Sequence, residues 1–170
     1  MNLSFLVPAS VAFLLMEPVA YLAHRFVMHG VGAGWHHSHH RTRRTTFEAN
    51  DLYPVVMAAV TVVAFALGSA VAGLSVLTPV AVGVTLYGAA YLVVHDLAIH
   101  RRIPRLPVPD VRIVAWWRES HRIHHLWGGE PFGFLAPVVP AALRERARGV
   151  ERDPLPPAAG RISGAAPARP

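Results

Sequence analysis

Ten of the 11 histidines in this 170-residue chain fall into four boxes. His24 and His29 form an H-x4-H pair, and His36, His39 and His40 form an H-x2-H-H triplet. His95 and His100 repeat the pair, and His121, His124 and His125 repeat the triplet, in the same order. Neutral imidazole is a good ligand for zinc, copper, iron and nickel. Ten such ligands are too many for one ion, so the pattern implies two metals. On a helix, positions i, i+3 and i+4 share a face, and each triplet is expected to present three imidazoles to one point. The pairs fit an ideal helix badly, because i+5 lies about 140° away. Gly30 and Pro104 suggest helix ends nearby, where a frayed or kinked turn could let each pair converge. His37 stands apart: Arg122 occupies its place in the second triplet, so His37 is expected to be dispensable.

Other chemistries are excluded or weak. With no cysteine, there are no disulfides, thiolate zinc sites or iron–sulfur clusters. No H-E-x-x-H or G-x-S-x-G occurs, and without lysine there is no P-loop. The glycines from Gly30 to Gly34 lack the dinucleotide-binding spacing.

The elements that must position the histidines are apolar. Hydrophobic residues make up 53% of the chain and charged residues 15%, with a mean hydropathy of +0.36. A soluble domain carries about 25% charged residues, so the expected class is an all-α integral membrane protein. Three stretches approach the roughly 20 residues that cross a bilayer: Leu3 to Leu22, Leu52 to Leu74 and Ser75 to Val94. The first is interrupted by Pro8, Glu17 and Pro18. Three buried helices of a soluble protein are the alternative, disfavoured because residues 55–94 show no amphipathic stripe. All 16 basic residues are arginine, and the formal net charge is +6. A hydrophobic, basic chain fits an anionic membrane face better than nucleic acid, and the run from Arg41 to Arg44 reads as a lipid-facing loop. Ten arginines lie in segments 25–44 and 101–122, and none in the Gly73-Leu74-Ser75 junction. The positive-inside rule then places both histidine-bearing segments in the cytoplasm and the junction outside. Proline should break the chain over 103–109, and Asp110 should cap a helix running to about Trp127. Residues 1–149 are expected to form one domain, and 150–170 a disordered tail.

The four boxes in this order resemble the bacterial β-carotene 3-hydroxylases, within the fatty acid hydroxylase and sterol desaturase superfamily of membrane di-iron enzymes. Flanking stretches match as well, among them Met16-Glu17, His24 through Gly30, Phe47-Glu48, Asn50-Asp51-Leu52, Tyr91, His95-Asp96 and Phe132-Gly133-Phe134-Leu135. The likeness covers roughly residues 10–137. The family usually has other residues where Leu97, Arg102, Ile103 and Pro131 stand. The resemblance implies a non-haem centre of two irons held by the ten boxed histidines. It implies 3-hydroxylation of β-ionone rings, from β-carotene through β-cryptoxanthin to zeaxanthin, with O2 and two electrons, the donor being a ferredoxin. An unactivated C–H bond lies beyond side-chain acid–base chemistry and calls for a metal–oxygen species. The substrate dissolves in the bilayer, so the site belongs at the inner face of the cell membrane.

Three carboxylates are candidates for supporting the histidines: Asp96 beside His95, Asp51 at the start of the second span, and Glu17, two turns before His24. Hydrogen bonds from imidazoles to such groups raise ligand basicity. Two rival functions stay open at this point. One is a related hydroxylase or desaturase acting on acyl lipid or sterol. The other is a non-enzymatic metal-binding or metal-transport protein, disfavoured because the second span offers only Thr61 and Ser69 as polar groups.

Overall fold

The computed structural model describes residues 2–41, 47–103 and 105–156. Among them every regular element is helical. Helix α1 spans Leu3–Leu22 and runs on into a π-helical segment, Ala23–Val31. A single turn, α2, covers Ala33–His36. A 3-10 turn at Ala49–Asp51 leads into α3, Leu52–Ala70. Helix α4, Leu77–Tyr91, continues into a second π-helical segment, Leu92–Ile99. Helices α5, Arg112–Trp127, and α6, Ala141–Arg148, complete the chain.

Three helices are long and apolar enough to cross a membrane: Leu3–Val31, Ala49–Ala70 and Leu77–Ile99. Only 11%, 11% and 28% of their most apolar windows are buried within the molecule. Valines 55, 56, 60, 62 and 63 of α3, for example, all point outward. Such a surface is stable in lipid and not in water, which removes the alternative of three helices buried in a soluble core. Helix α1 passes straight through Pro8 and Pro18, as membrane helices can. Helix α4 lies between α1 and α3 and packs on both. Its approach to α1 depends on Gly83, where a Cβ would sit 2.2 Å from the Ala9 carbonyl oxygen. Small residues at a helix crossing are how membrane helices gain close packing.

The sequence-based boundaries need two changes. Asp110 is not the cap of α5, which starts at Arg112 with Val111 in the extended cap position. Its far end is closed by Gly128 at φ 65°, whose N–H donates to the His124 carbonyl, a left-handed stop that favours glycine. Residues 150–156, assigned to the start of the tail, pack against α5. Arg118 donates to Asp153 and to the Pro156 carbonyl, and Arg122 donates to the Val150 and Arg152 carbonyls. Leu155 is buried with Val94 and Ile99, beside Trp117 and Leu135. The remainder of the expected tail, 157–170, lies outside the described residues, as do Pro104 and positions 42–44 of the arginine run.

Apart from this small apolar cluster and Ile123, the largest fully buried side chains are polar. His24, His36, His95, His124, Asn50 and Ser120 are each 2% exposed or less. Burying polar groups is costly unless they are paired, so the interior is organised around the imidazoles.

Candidate metal centre

The π-helical segments explain the H-x4-H spacing. Hydrogen bonding from i to i+5 widens the turn and brings residue i+5 over residue i. The His100 N–H donates to the His95 carbonyl at 2.9 Å, five residues back, and the Gly32 N–H does the same to Val27 at 2.7 Å. The paired rings consequently meet, with centroids 5.1 Å apart for His24 and His29 and 4.6 Å for His95 and His100. Gly30, at φ −109° and ψ −113°, kinks the first segment near its end.

Two clusters result. His24, His29, His36 and His124 form one, and His39, His95, His100 and His121 form the other; within each, the candidate ligand atoms all lie within 4.8 Å of one another. His40 joins the first, its Nε2 3.0 Å from that of His36. His125 joins the second, its Nε2 2.9 Å from that of His121. The rings of His40 and His125 stack at 4.4 Å along the seam between the clusters.

This arrangement corrects the expectation that each triplet serves one point. The outer members, His36 and His40 or His121 and His125, stay with the pair from their own half of the chain. The middle members, His39 and His124, cross to the opposite cluster. The sequence repeat is thus a structural two-fold in which each half lends one histidine to the other. His37 is exposed and belongs to neither cluster.

The donor set fits a cation. Five of the ten rings have Nδ1 hydrogen-bonded to an oxygen: His24 to the Phe132 carbonyl (2.9 Å), His36 to Asn50 (2.7 Å), His124 to the Gly129 carbonyl (2.6 Å), His95 to Asp96 (2.8 Å) and His39 to Glu48 (3.4 Å). These oxygens accept, so the rings carry hydrogen on Nδ1 and a lone pair on Nε2. Yet Nε2 of His24 faces Nε2 of His36 at 3.1 Å, and Nε2 of His95 faces that of His39 at 3.2 Å. His36 Nε2 also lies 3.0 Å from that of His29. Facing lone pairs repel unless a cation lies between them. Two nitrogens bound at right angles to an ion about 2.1 Å away stand roughly 3 Å apart, close to the separations observed. Burial also keeps the rings outside the spans neutral. It pushes His36 down to about 3, an effect the Asn50 hydrogen bond partly offsets, and His40 down to about 4. Burial, reinforced by neighbouring imidazoles, holds His39, His100, His121, His124 and His125 well below the ordinary imidazole range.

Of the three candidate carboxylates, only Asp96 bonds directly to a boxed histidine in the contacts above. Asp51 binds Arg102 at 2.5 Å. Glu17 reaches across to the loop after α5. Its carboxylate accepts from the backbone N–H groups of Phe134, Leu135 and Ala136 at 2.9–3.1 Å and from the Tyr87 hydroxyl at 2.6 Å. That loop supplies the Phe132 carbonyl to His24, and the Phe134 ring stacks on His24 at 4.8 Å. Glu17 and His24 are thus both tied to this loop.

Reading the sequence residue by residue missed Asn50 and Glu48, the partners of His36 and His39, and Arg102, whose guanidinium lies 3.5 Å from Asp96 and 3.6 Å from Glu48. Asn50 and Glu48 fell in stretches matched to the family, the one signal that marked them. An apolar groove of about 360 Å³ between α1 and α4, bordered by Phe5, Phe13 and Leu86, lies further along the spans, away from the imidazoles.

The comparisons with known proteins agree with this geometry. The fatty acid hydroxylase family model matches residues 9–140. A β-carotene hydroxylase from Pantoea ananas is 43% identical over 139 residues, covering 77% of this chain and 78% of the relative. One from Pseudescherichia vulneris is 39% identical over 146 residues, covering 84% and 81%. A chloroplastic β-carotene 3-hydroxylase from Haematococcus lacustris is 36% identical over 147 residues, 76% of this chain and 44% of that longer protein. No solved structure matches. The all-helical frame, the paired imidazole clusters and these likenesses lead to one assignment: the chain belongs to the fatty acid hydroxylase family and is a relative of the bacterial β-carotene hydroxylases.

Proposed function

We propose that this protein is a membrane oxidoreductase that places a 3-hydroxyl on the β-ionone ring of carotenoids, with two non-haem irons as its cofactor. The observation that carries the reading is the pair of five-imidazole clusters, whose lone pairs converge at one end of the apolar spans. The names of the relatives supply the substrate class. Two irons held there would supply activation of O2, with two electrons delivered from a ferredoxin. His24, His29, His36, His40 and His124 would hold one ion, and His39, His95, His100, His121 and His125 the other.

The chain's own residues do the rest. The Phe132 and Gly129 carbonyls, Asn50, Asp96 and Glu48 keep hydrogen on the Nδ1 atoms, so that every Nε2 they govern stays free to bind. Phe132 and Phe134 pack edge-on and face-on against the imidazoles, excluding water from one side. The apolar spans keep a hydrocarbon substrate in the same phase as the site. A lone-pair cage that pairs ten imidazoles also weighs against a transport role, because passage would require polar groups along the spans and α3 buries only Thr61.

The test is pigment chromatography after expression in a β-carotene-producing bacterium grown with iron and air. β-Cryptoxanthin and zeaxanthin are expected. Unchanged β-carotene beside folded, iron-loaded protein would overturn the ring-hydroxylation reading and turn attention to acyl lipid or sterol substrates.

The site is assigned to the cytoplasmic side of the cell membrane by the distribution of arginine. Reporter fusions after Arg44 and after Arg105 should read cytoplasmic, and an insertion at Gly73 should read external. An inward-facing reporter at Gly73 would invert the assignment.

A further inference from the structure

The two imidazole clusters have similar shapes but differ in what supports them. In the cluster of His24, His36 and His124, the Nδ1 acceptors are neutral: two backbone carbonyls and the Asn50 amide. In the cluster of His39 and His95 the acceptors are the carboxylates of Glu48 and Asp96. An anionic acceptor draws the Nδ1 proton towards itself and makes Nε2 a stronger donor to a metal. Arg102 lies behind these carboxylates, with 15% of its side chain exposed. Its Nη2 is 2.5 Å from Asp51 and 3.6 Å from Glu48, and its Nε is 3.5 Å from Asp96. Like charges this close repel strongly when shielded from water. The planar guanidinium fork holds them in fixed directions.

We infer that the two metal sites are unequal, that the site of His39, His95, His100, His121 and His125 binds its ion more tightly, and that Arg102 is the positioning residue responsible. The inference rests on the metal-centre reading above. Without Arg102, Asp96 and Glu48 would turn apart, and His95 and His39 would lose their anionic acceptors. The other cluster would be unaffected, since none of its three Nδ1 acceptors among the described residues is a carboxylate.

The experiment uses the full chain in detergent, with one site disabled at a time. His36→Ala leaves the carboxylate-backed site, and His95→Ala leaves the amide-backed one. Anaerobic Fe2+ affinity is then measured by competition with a chromophoric chelator. His36→Ala protein should bind its ion about 10-fold more tightly or better than His95→Ala protein, the scale on which outer partners act. Adding Arg102→Ala should weaken the first by about 10- to 100-fold and leave the second within about twofold. Arg102→Lys, which keeps the charge without the fork, should restore part of the loss, as a merely structural defect would not. Equal affinities of the two sites would overturn the inference, as would an Arg102→Ala effect common to both backgrounds. Protein with neither substitution that takes up no metal at all would overturn the metal-centre reading itself.

Discussion

Replacing His36 with alanine is expected to leave about one iron per chain in place of two and to abolish product formation. Its Nε2 stands 3.0–3.1 Å from three other Nε2 atoms, those of His24, His29 and His40. No other ring occupies so central a position among the contacts of the first cluster. Loss of an outer partner costs roughly 10–100-fold in metal affinity or activity, and loss of a direct ligand should cost more. His37→Ala, one residue away, should keep both irons and most activity, because its ring is exposed and outside both clusters. Iron content and pigment are to be measured on the same preparations, so that a folding defect is not mistaken for ligand loss. If His37→Ala loses as much iron as His36→Ala, the division of the first triplet is wrong.

Glu17→Ala should be the most damaging change outside the histidines. It removes the acceptor of three backbone N–H groups and the Tyr87 hydroxyl together. Each hydrogen bond to a charged group contributes about 1.5–3 kcal/mol. With Glu17 only partly buried and the losses not additive, a destabilisation on the order of 3 kcal/mol is expected. The loop carrying Phe132 and Phe134 should then loosen, and His24 should lose its carbonyl acceptor. Glu17→Gln should fall between. Its single amide oxygen can replace Oε1, which serves Phe134 and Ala136, but its NH2 cannot accept from Tyr87 and Leu135. Thermal unfolding in detergent, with iron content on the same samples, decides the matter. A Glu17→Ala protein that melts with the parent and keeps its iron would show the loop to be held by other means.

Much of this was legible in the sequence because it depends on type and spacing. The apolar runs found the three spans, and α1 carries the expected bounds of Leu3 and Leu22. The boxes identified which imidazoles converge. The H-x4-H spacing resisted explanation because it was measured against an α-helix, whereas the backbone there is π-helical, and a widened turn leaves no local composition signal. The sharing of His39 and His124 was equally hidden. Residues i, i+3 and i+4 share a broad helix face, but i+3 and i+4 differ by about 100°, so His124 reaches the other cluster from the unbroken helix α5, and for His39 the short α2 has already ended at His36. Asn50, Glu48 and Arg102 act across 9 to 54 residues of chain, a separation that periodicity cannot read. Residues 150–156 look like tail by composition, and it is their contacts with Arg118 and Arg122 and the burial of Leu155 that fix them.

The central claim is that ten imidazoles form two metal sites with the middle histidines exchanged between the halves of the chain. An anomalous-difference map at the iron absorption edge, from crystals of the iron-loaded protein, tests it most directly. The account predicts two peaks, one bounded by His24, His29, His36, His40 and His124, the other by His39, His95, His100, His121 and His125. A single peak, or His39 bound to the same ion as His36 and His40, would contradict it.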